Sequence, residues 1–356
     1  MSINVCFISL EYFGWGKYGG IGKATRDIAS GLVNRGLGVS VVVPRGLGQS
    51  TYELVDGVDV YGFQLKEYPI ISRLLHKIDA DIFHSEDPTL GTWIAKKTQP
   101  NRIHLLTSQN PKSSEDWIKV IQYYPFRRKI YNTLIDPTVK KCIKEMDYVY
   151  CQAKYIIQKT KKLYNLNYNP FFLPNPVEVP TRLPQKSSEP RVLFLGRLDK
   201  EKNPEQFFHL AKEFPDINFV VAGCSHNKQY NKILQSKYSG MNNISMLGFV
   251  DGREKIKVLS SSWVLINTSI SECLPVSFLE AAAHGCAILS PHDPDSFSSN
   301  FGVYTSLNRL CEGLSWLLKD ENWRERGAMG YRYVKETHEV SKVIQAHINE
   351  YKKKLM

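Results

Sequence analysis

An α/β fold with parallel sheets, arranged as two Rossmann-like domains facing each other across a cleft, is what three features of this 356-residue chain predict. Short apolar runs alternate with helical patterns, the alternation stops once in a proline-dense stretch, and it then starts afresh. In the first half the predicted strands are "NVCFISL", "GVSVVVP", "DVYGF", "DIFHS", "RIHLLTS" and "DYVYCQ". Between the first two, Ala24, Ile28, Leu32 and Val33 recur at helical spacing, and Gly36 supplies a stop. The break runs from Asn169 to Arg191, where Pro170, Pro174, Pro176, Pro180, Pro184 and Pro190 read as a linker without regular structure. After it come strand "VLFLG", a helix from Pro204 to Phe214, strand "NFVVAG", a helix over Tyr230–Tyr238 and strand "ISMLG". Helix "GREKIKVLSSS", strand "WVLINT", a helix ending before Gly285 and strand "CAILSP" complete the series. The expected division is a first domain over 1–170, a linker over 171–190, a second domain over 191–335 and a final helical segment over 336–356.

Composition narrows the class. With 42% hydrophobic residues the chain can fill two cores. None of the seven cysteines falls in a C-x-x-C pair, which argues for a reducing compartment and against zinc ribbons or disulfide frameworks. The opening "MSINVCFISL" reads as a buried strand, and no run reaches the roughly 18 apolar residues of a membrane span. A cytoplasmic protein is expected, without a metal or cofactor. The charge of +11 is uneven: from Trp117 to Asn169 there are eleven bases against three acids, interleaved with Trp117, Tyr123, Tyr124, Phe126 and Tyr131. Such a segment fits an anionic membrane face, with Arg127, Arg128 and Lys129 as its densest patch, or a set of solvated helix faces. No nucleic-acid motif accompanies it, so a nucleic-acid partner is not expected.

Three stretches carry chemistry. In "SISECLPVSFLEAAAHGCAI", Glu272 sits on the loop after a strand, Pro275 suits the first turn of the next helix, and Glu280 lies just over one turn in. The N–H groups of Leu274, Val276 and Ser277 at that helix start attract phosphate, and the two acids could accept hydrogen bonds from vicinal hydroxyls. Acids in first turns also serve simply to favour the positive helix end, and Glu280 alone reads equally as a solvated residue. In "LGRLDKEKNPEQF", Arg197, Lys200 and Lys202 follow a strand, with Asn203 as a helix N-cap and Pro204 as the first helical residue. This is a diphosphate-binding element or an exposed basic loop. In "EYFGWGKYGGIGKAT", Gly19, Gly20 and Gly22 precede a helix and permit close approach of backbone to a ligand, or a flexible turn. A dinucleotide fingerprint is a poor match, because the glycine spacing ends in Thr25 and the second strand ends at Pro44-Arg45 without an acid.

Taken together and in this order, the three stretches resemble the retaining glycosyltransferases of family 4, group 1, with the GT-B fold, over essentially the whole chain. The opening loop is also similar to the K-x-G-G loop of glycogen and starch synthases, with Lys17, Gly19 and Gly20 matching. The resemblance implies a sugar transferred from a nucleotide diphosphate-sugar donor to an acceptor hydroxyl, without a metal. It implies that Arg197 and Lys202 neutralise the diphosphate, that Glu280 binds the ribose and that Glu272 holds sugar hydroxyls near the reacting carbon. Backbone around Cys273, Leu274, Pro275 and Val276 would touch sugar or phosphate, and the "GGIG" backbone would close over the phosphates. The last helix, over 341–354, would cross back onto the first domain. His84 matches a position often held by histidine, and Gln109 and Asn110 stand where many relatives have histidine, so these three are expected on the acceptor side.

Cys273 stands where the family commonly has glycine, which raises the question of whether its backbone demands a conformation that cysteine resists. The acceptor is expected to be a glycan, a lipid-linked glycan or a small molecule of envelope synthesis, reached from the inner face of the membrane. The alternative is a protein of the same fold that binds sugar nucleotides without turnover.

Overall fold

The computed structural model describes residues 3–15, 19–46, 48–64, 67–124, 126, 129–130 and 136–356. The chain forms two compact units: residues 1–114, 124–176 and 338–356 make the first, and residues 115–123 and 177–337 the second.

The first unit holds strands β1 (Asn4–Ser9), β2 (Gly38–Pro44), β3 (Tyr52–Val55), β4 (Val58–Phe63), β5 (Ile82–Glu86), β6 (Ile103–Ser108), β7 (Tyr148–Cys151) and β8 (Phe171–Phe172). Their order is β3-β4-β2-β1-β5-β6-β7-β8, all neighbours parallel except the β3–β4 pair. Helices cover both faces, which is why β5 is buried along its whole length and its sequence does not alternate. Helix Gly20–Val33 buries Ala24 and turns Ile28, Ala29 and Leu32 into the core of Val5, Phe7 and Val41, and helix Val340–Leu355 adds Ile344, Ile348 and Tyr351 to the same core. Gly31 lets these two helices meet, because a Cβ there would stand 2.6 Å from Ile344 Cγ1.

One expectation is corrected here: the proline-dense stretch is not irregular throughout. Phe171 and Phe172 form β8, paired parallel to Tyr150 and Cys151. A two-residue strand at a sheet edge needs few donors, so Pro170 and Pro174 can bracket it without breaking the ladder. Farther on, Lys186 donates to the carbonyls of Leu259 and Ser262, and Ser187 bonds the carbonyl of Ser261, which fixes this stretch onto the second unit.

The second unit holds β9 (Arg191–Leu195), β10 (Asn218–Ala222), β11 (Ile244–Gly248), β12 (Val264–Ile266), β13 (Ala287–Ser290) and β14 (Gly302–Tyr304), an all-parallel sheet in the order β11-β10-β9-β12-β13-β14. This is the doubly wound arrangement whose order reverses between the first strand and the fourth, and ligands in such sheets bind outside the carboxyl ends at that reversal. Here it falls between β9 and β12; in the first unit it falls between β1 and β5. Beyond β13 the chain adds helices Phe297–Phe301, Leu310–Leu318 and Asn322–Thr337, with Trp323 stacked on Trp263 at 4.4 Å.

Candidate functional site

The loops after β9 and β12 emerge side by side at the reversal of the second sheet, and they are tied to each other. Ile270 N–H bonds Glu201 O at 2.9 Å, and Thr268 Oγ1 reaches the carbonyl oxygens of Lys202 and Asn203, each at 2.9 Å. The first loop turns through a 3-10 segment over Lys200–Lys202 into Asn203, whose left-handed backbone (φ 48°, ψ 51°) starts helix Pro204–Glu213. Asn203 is thus at the N-cap position, but its side chain makes no cap bond, and backbone geometry delivers the turn instead.

This pairing of loops brings Lys202 and Glu272 together, with Nζ 2.6 Å from Oε1. Ser269 Oγ donates to the same oxygen at 2.6 Å and Asn267 Nδ2 at 3.2 Å. Burial pushes the Glu272 carboxyl up, but the Lys202 charge and the hydrogen bonds from Lys202, Ser269 and Asn267 outweigh it and hold the group below its ordinary value. All three donors converge on Oε1. Among the described residues none takes Oε2. Sequence reasoning missed Asn267, Ser269 and also His292, whose Nε2 lies 2.6 Å from Ser269 O. The signal for the first two was present in the strand-end residues "NTS" just before the acid.

Arg197 lies at the carboxyl end of β9 with its guanidinium between Asp199 (2.9 Å) and Glu201 (3.1 Å). Asp199 in turn accepts from Ser225 Oγ and His226 N–H on the loop after β10. Arginine is therefore charge-compensated within its own loop and oriented by it. Glu280, on helix Val276–Ala283, is neither solvated nor alone: Lys255 Nζ from helix Gly252–Ser261 lies 2.9 Å from its Oε1. Pro275 is the N-cap of the Glu280 helix rather than part of its first turn, and no side chain caps that end. Cys273 is buried with Leu274, and it is not among the residues with positive φ, so its backbone is one that cysteine adopts without strain.

In the first unit the three residues expected on the acceptor side have partners of their own. His84 is fully buried in β5, with Nδ1 2.8 Å from Tyr351 Oη and Nε2 2.7 Å from Thr107 Oγ1. Burial and the nearby His347 hold it neutral, well below the usual histidine range, and its role is to join strands to helix Val340–Leu355. Gln109 is also buried, its amide taken by Glu86 and Asn175, so it does not present a free group to a ligand. Asn110 is half-buried and donates its N–H to Asp87. Gly19 is the N-cap of helix Gly20–Val33, and Gly22 packs on residues 11 and 12, where a Cβ would meet Glu11 and Tyr12 at 3.0 to 3.2 Å. Gly20, with Gly19 and Gly22, therefore belongs to a helix start held against the chain, not to a loose turn. Lys17, Arg127 and Arg128 lie outside the described residues; Lys129 is exposed. Among the described residues no cluster of three or more His, Cys, Asp or Glu is arranged to hold a metal, and no helix is long and apolar enough to cross a membrane.

Comparison with known proteins agrees with this architecture. The GT-B fold is shared with a sucrose-phosphate synthase from Thermosynechococcus elongatus (TM-score 0.76, 15% identity, 99% of each chain). It is shared too with Anabaena Alr3699/HepE, solved in complex with UDP-glucose (TM-score 0.72, 13% identity, 99% of this chain and 100% of that one). In sequence the chain is 28% identical over 214 residues to an α-1,4-N-acetyl-D-galactosaminyltransferase of Campylobacter jejuni that acts on a diNAcBac-PP-undecaprenol-linked glycan, covering 54% of this chain and 57% of that one. The matching region of another curated relative is 23% of its length, so the chain spans well under two thirds of these two relatives. Residues 18–179 match the model for Glycosyltransferase Family 4, and residues 178–297 match that for Glycosyl transferases group 1. The two matches meet where the first unit gives way to the second, and the chain belongs to the family 4, group 1 glycosyltransferases.

Proposed function

We propose that the protein transfers a sugar from a nucleotide diphosphate-sugar to an acceptor hydroxyl with retention of configuration and without a metal ion. The observation that carries this reading is the Lys202–Glu272 pair at the sheet reversal, 2.6 Å apart, with Glu272 Oε1 saturated and Oε2 unclaimed. That arrangement suits a sugar hydroxyl on Oε2 and a phosphate oxygen on the lysine. Donor binding would then exchange part of the internal ion pair for two external contacts.

In the proposed reaction the bond from the anomeric carbon to the diphosphate breaks and the acceptor oxygen bonds that carbon on the same face. The hydroxyl proton passes to the departing phosphate. Charge builds on the leaving oxygen, and Arg197 and Lys202 would stabilise it as cations, Lys202 by giving up part of its pairing with Glu272. Asp199 and Glu201 hold the Arg197 guanidinium at 2.9 and 3.1 Å, which supports that role. Glu280 would accept from the ribose hydroxyls, and the uncapped helix start at Val276, with the N–H groups of Cys273 and Leu274, would face phosphate or sugar.

For the acceptor we propose a glycan or lipid-linked glycan, as the undecaprenol-linked substrate in the Campylobacter relative's name supports. Peripheral attachment to an anionic membrane is proposed through the basic segment, with Arg127, Arg128 and Lys129 at its centre. The test of the reaction is Arg197→Ala combined with Lys202→Ala, which abolishes measurable transfer; a double variant with full activity overturns the site. A second reading, donor binding without turnover, rests on the compensation of Arg197 by two acids, and it predicts saturable binding with no nucleoside diphosphate released.

A further inference from the structure

The sheet of the first unit has its own order reversal, between β1 and β5, and a buried polar cluster lies beside it. Glu86, the last residue of β5, is 1% exposed. Its Oε2 accepts from Gln109 Nε2 at 2.7 Å, and its Oε1 has no hydrogen-bond partner among the described residues. Gln109 follows β6 and pairs reciprocally with Asn175: Nε2 donates to Asn175 Oδ1 at 3.0 Å, and Asn175 Nδ2 donates to Gln109 Oε1 at 2.8 Å. Gln109 N–H also reaches Asp87 Oδ1 at 2.9 Å, and Gln152 Nε2 donates to Gln109 O at 3.2 Å. Asn175 O accepts from His338 Nδ1 at 2.9 Å, and both of those residues are buried.

The positions of Asn175 and His338 give this chain of bonds its meaning. The polypeptide leaves the first unit after Pro176 and re-enters it at His338. We propose that Glu86, Gln109, Asn175 and His338 form a polar latch that fixes these two of the chain's four crossings to the strand ends of the first unit, with Gln109 as a positioning residue. Gln109 uses both amide hydrogens and its carbonyl inside the latch, so turning toward a ligand would strand three buried polar partners. Buried amide pairs of this kind specify one arrangement because every alternative leaves a desolvated group unmatched. The inference uses the glycosyl-transfer reading only in treating the loop after β6 as an acceptor-side element.

The test is hydrogen exchange on the intact chain without substrate. Gln109→Ala raises exchange at residues 173–177 and 338–341 by about tenfold or more, with loops 197–203 and 267–275 unchanged. The exchanged pair Gln109→Asn with Asn175→Gln restores protection that Gln109→Asn alone loses. An increase confined to residues 109–113, or a double variant no better protected than the single, overturns the latch. If Gln109→Ala does not fold, Asn175→Asp, which keeps the shape and removes the donor to Gln109 Oε1, is read at the same crossings, where raised exchange is expected and unchanged exchange overturns the latch. In a transfer assay a latch defect lowers kcat with little change in acceptor KM. A rise in acceptor KM alone, with exchange unchanged, makes Gln109 a direct acceptor contact and overturns the proposal. Because exchange needs no substrate, its outcome stands apart from whether the protein is a transferase.

Discussion

Glu280 Oε1 and Lys255 Nζ lie 2.9 Å apart, with 13% and 15% of the two side chains exposed, so the second acid of the E-x7-E pair is held by a cation from a neighbouring helix. In the proposed site this carboxylate would accept the ribose hydroxyls. Glu280→Ala is expected to weaken nucleotide binding by tenfold or more, the scale of one or two hydrogen bonds to a charged group, about 1.5–3 kcal/mol each. Calorimetry with UDP, GDP and ADP checks this, and unchanged affinity for whichever nucleotide binds would remove Glu280 from the ribose site.

Lys202→Ala leaves Glu272 buried with only Ser269 and Asn267 as donors, and burial then raises its carboxyl. The expected cost is about 1–3 kcal/mol of stability. The depressed Glu272 carboxyl contributes stability above the ordinary value of 4.5, and this is lost as pH falls through its lower value in the fold. Denaturant melts between pH 3 and 7 should show this loss in the wild type and a smaller one in Glu272→Gln.

Much of the fold was legible because strand and helix periodicity is local. The E-x7-E pair was legible for the same reason, as both acids lie on one short segment. What was missed depends on partners far apart in sequence: Lys255 for Glu280, Glu86 and Asn175 for Gln109, His292 behind Ser269. No spacing rule encodes such pairs. Gln109 reads as a polar residue at a strand's carboxyl end, and only the packing of Asn175 beside it turns it inward. The proline-dense stretch misled because prolines forbid long ladders, whereas β8 needs two residues.

Glu86 behaves oppositely to Glu272. Burial is the main cause, with Asp87 adding to it against the Gln109 hydrogen bond, and together they push its carboxyl from 4.5 up to about 7. Between those values the folded chain binds the extra proton, so the contribution is full below about 4.5 and is lost as pH rises through about 7. It amounts to at most about 3 kcal/mol. Glu86→Gln is expected to flatten stability across this window and to exceed the wild type above pH 7; parallel curves for the two proteins would contradict the raised value.

Tyr351→Phe removes the hydroxyl 2.8 Å from His84 Nδ1 and leaves a buried ring nitrogen unmatched, at a cost of about 1–3 kcal/mol. The neighbouring His347 is pushed down to about 4 by burial, against the Val343 carbonyl and Glu350. A histidine held neutral supports the fold above its ordinary 6.5 and loses that support as pH falls through about 4. Thermal melts of wild type and His347→Gln from pH 7 to 4 check the slope, which the variant should lessen.

Charge reversal at Arg127, Arg128 and Lys129 tests membrane attachment. Each base near an anionic surface contributes about 1 kcal/mol, so three reversals should release the protein from vesicles rich in anionic lipid. Unchanged sedimentation with such vesicles would end the membrane proposal while leaving the transfer reaction untouched.

The first unit is discontinuous: residues 338–356 supply Ile344, Ile348 and Tyr351 to a core otherwise built from the first 176 residues. On the ribosome this inverts the usual order, in which the amino-terminal domain folds first. The face of helix Gly20–Val33 that receives Ile344 has no cover until residues 338–356 have been made, whereas residues 177–337 are complete earlier. The later-encoded unit can mature first, and the nascent first unit must keep an apolar face from aggregating until residues 338–356 emerge.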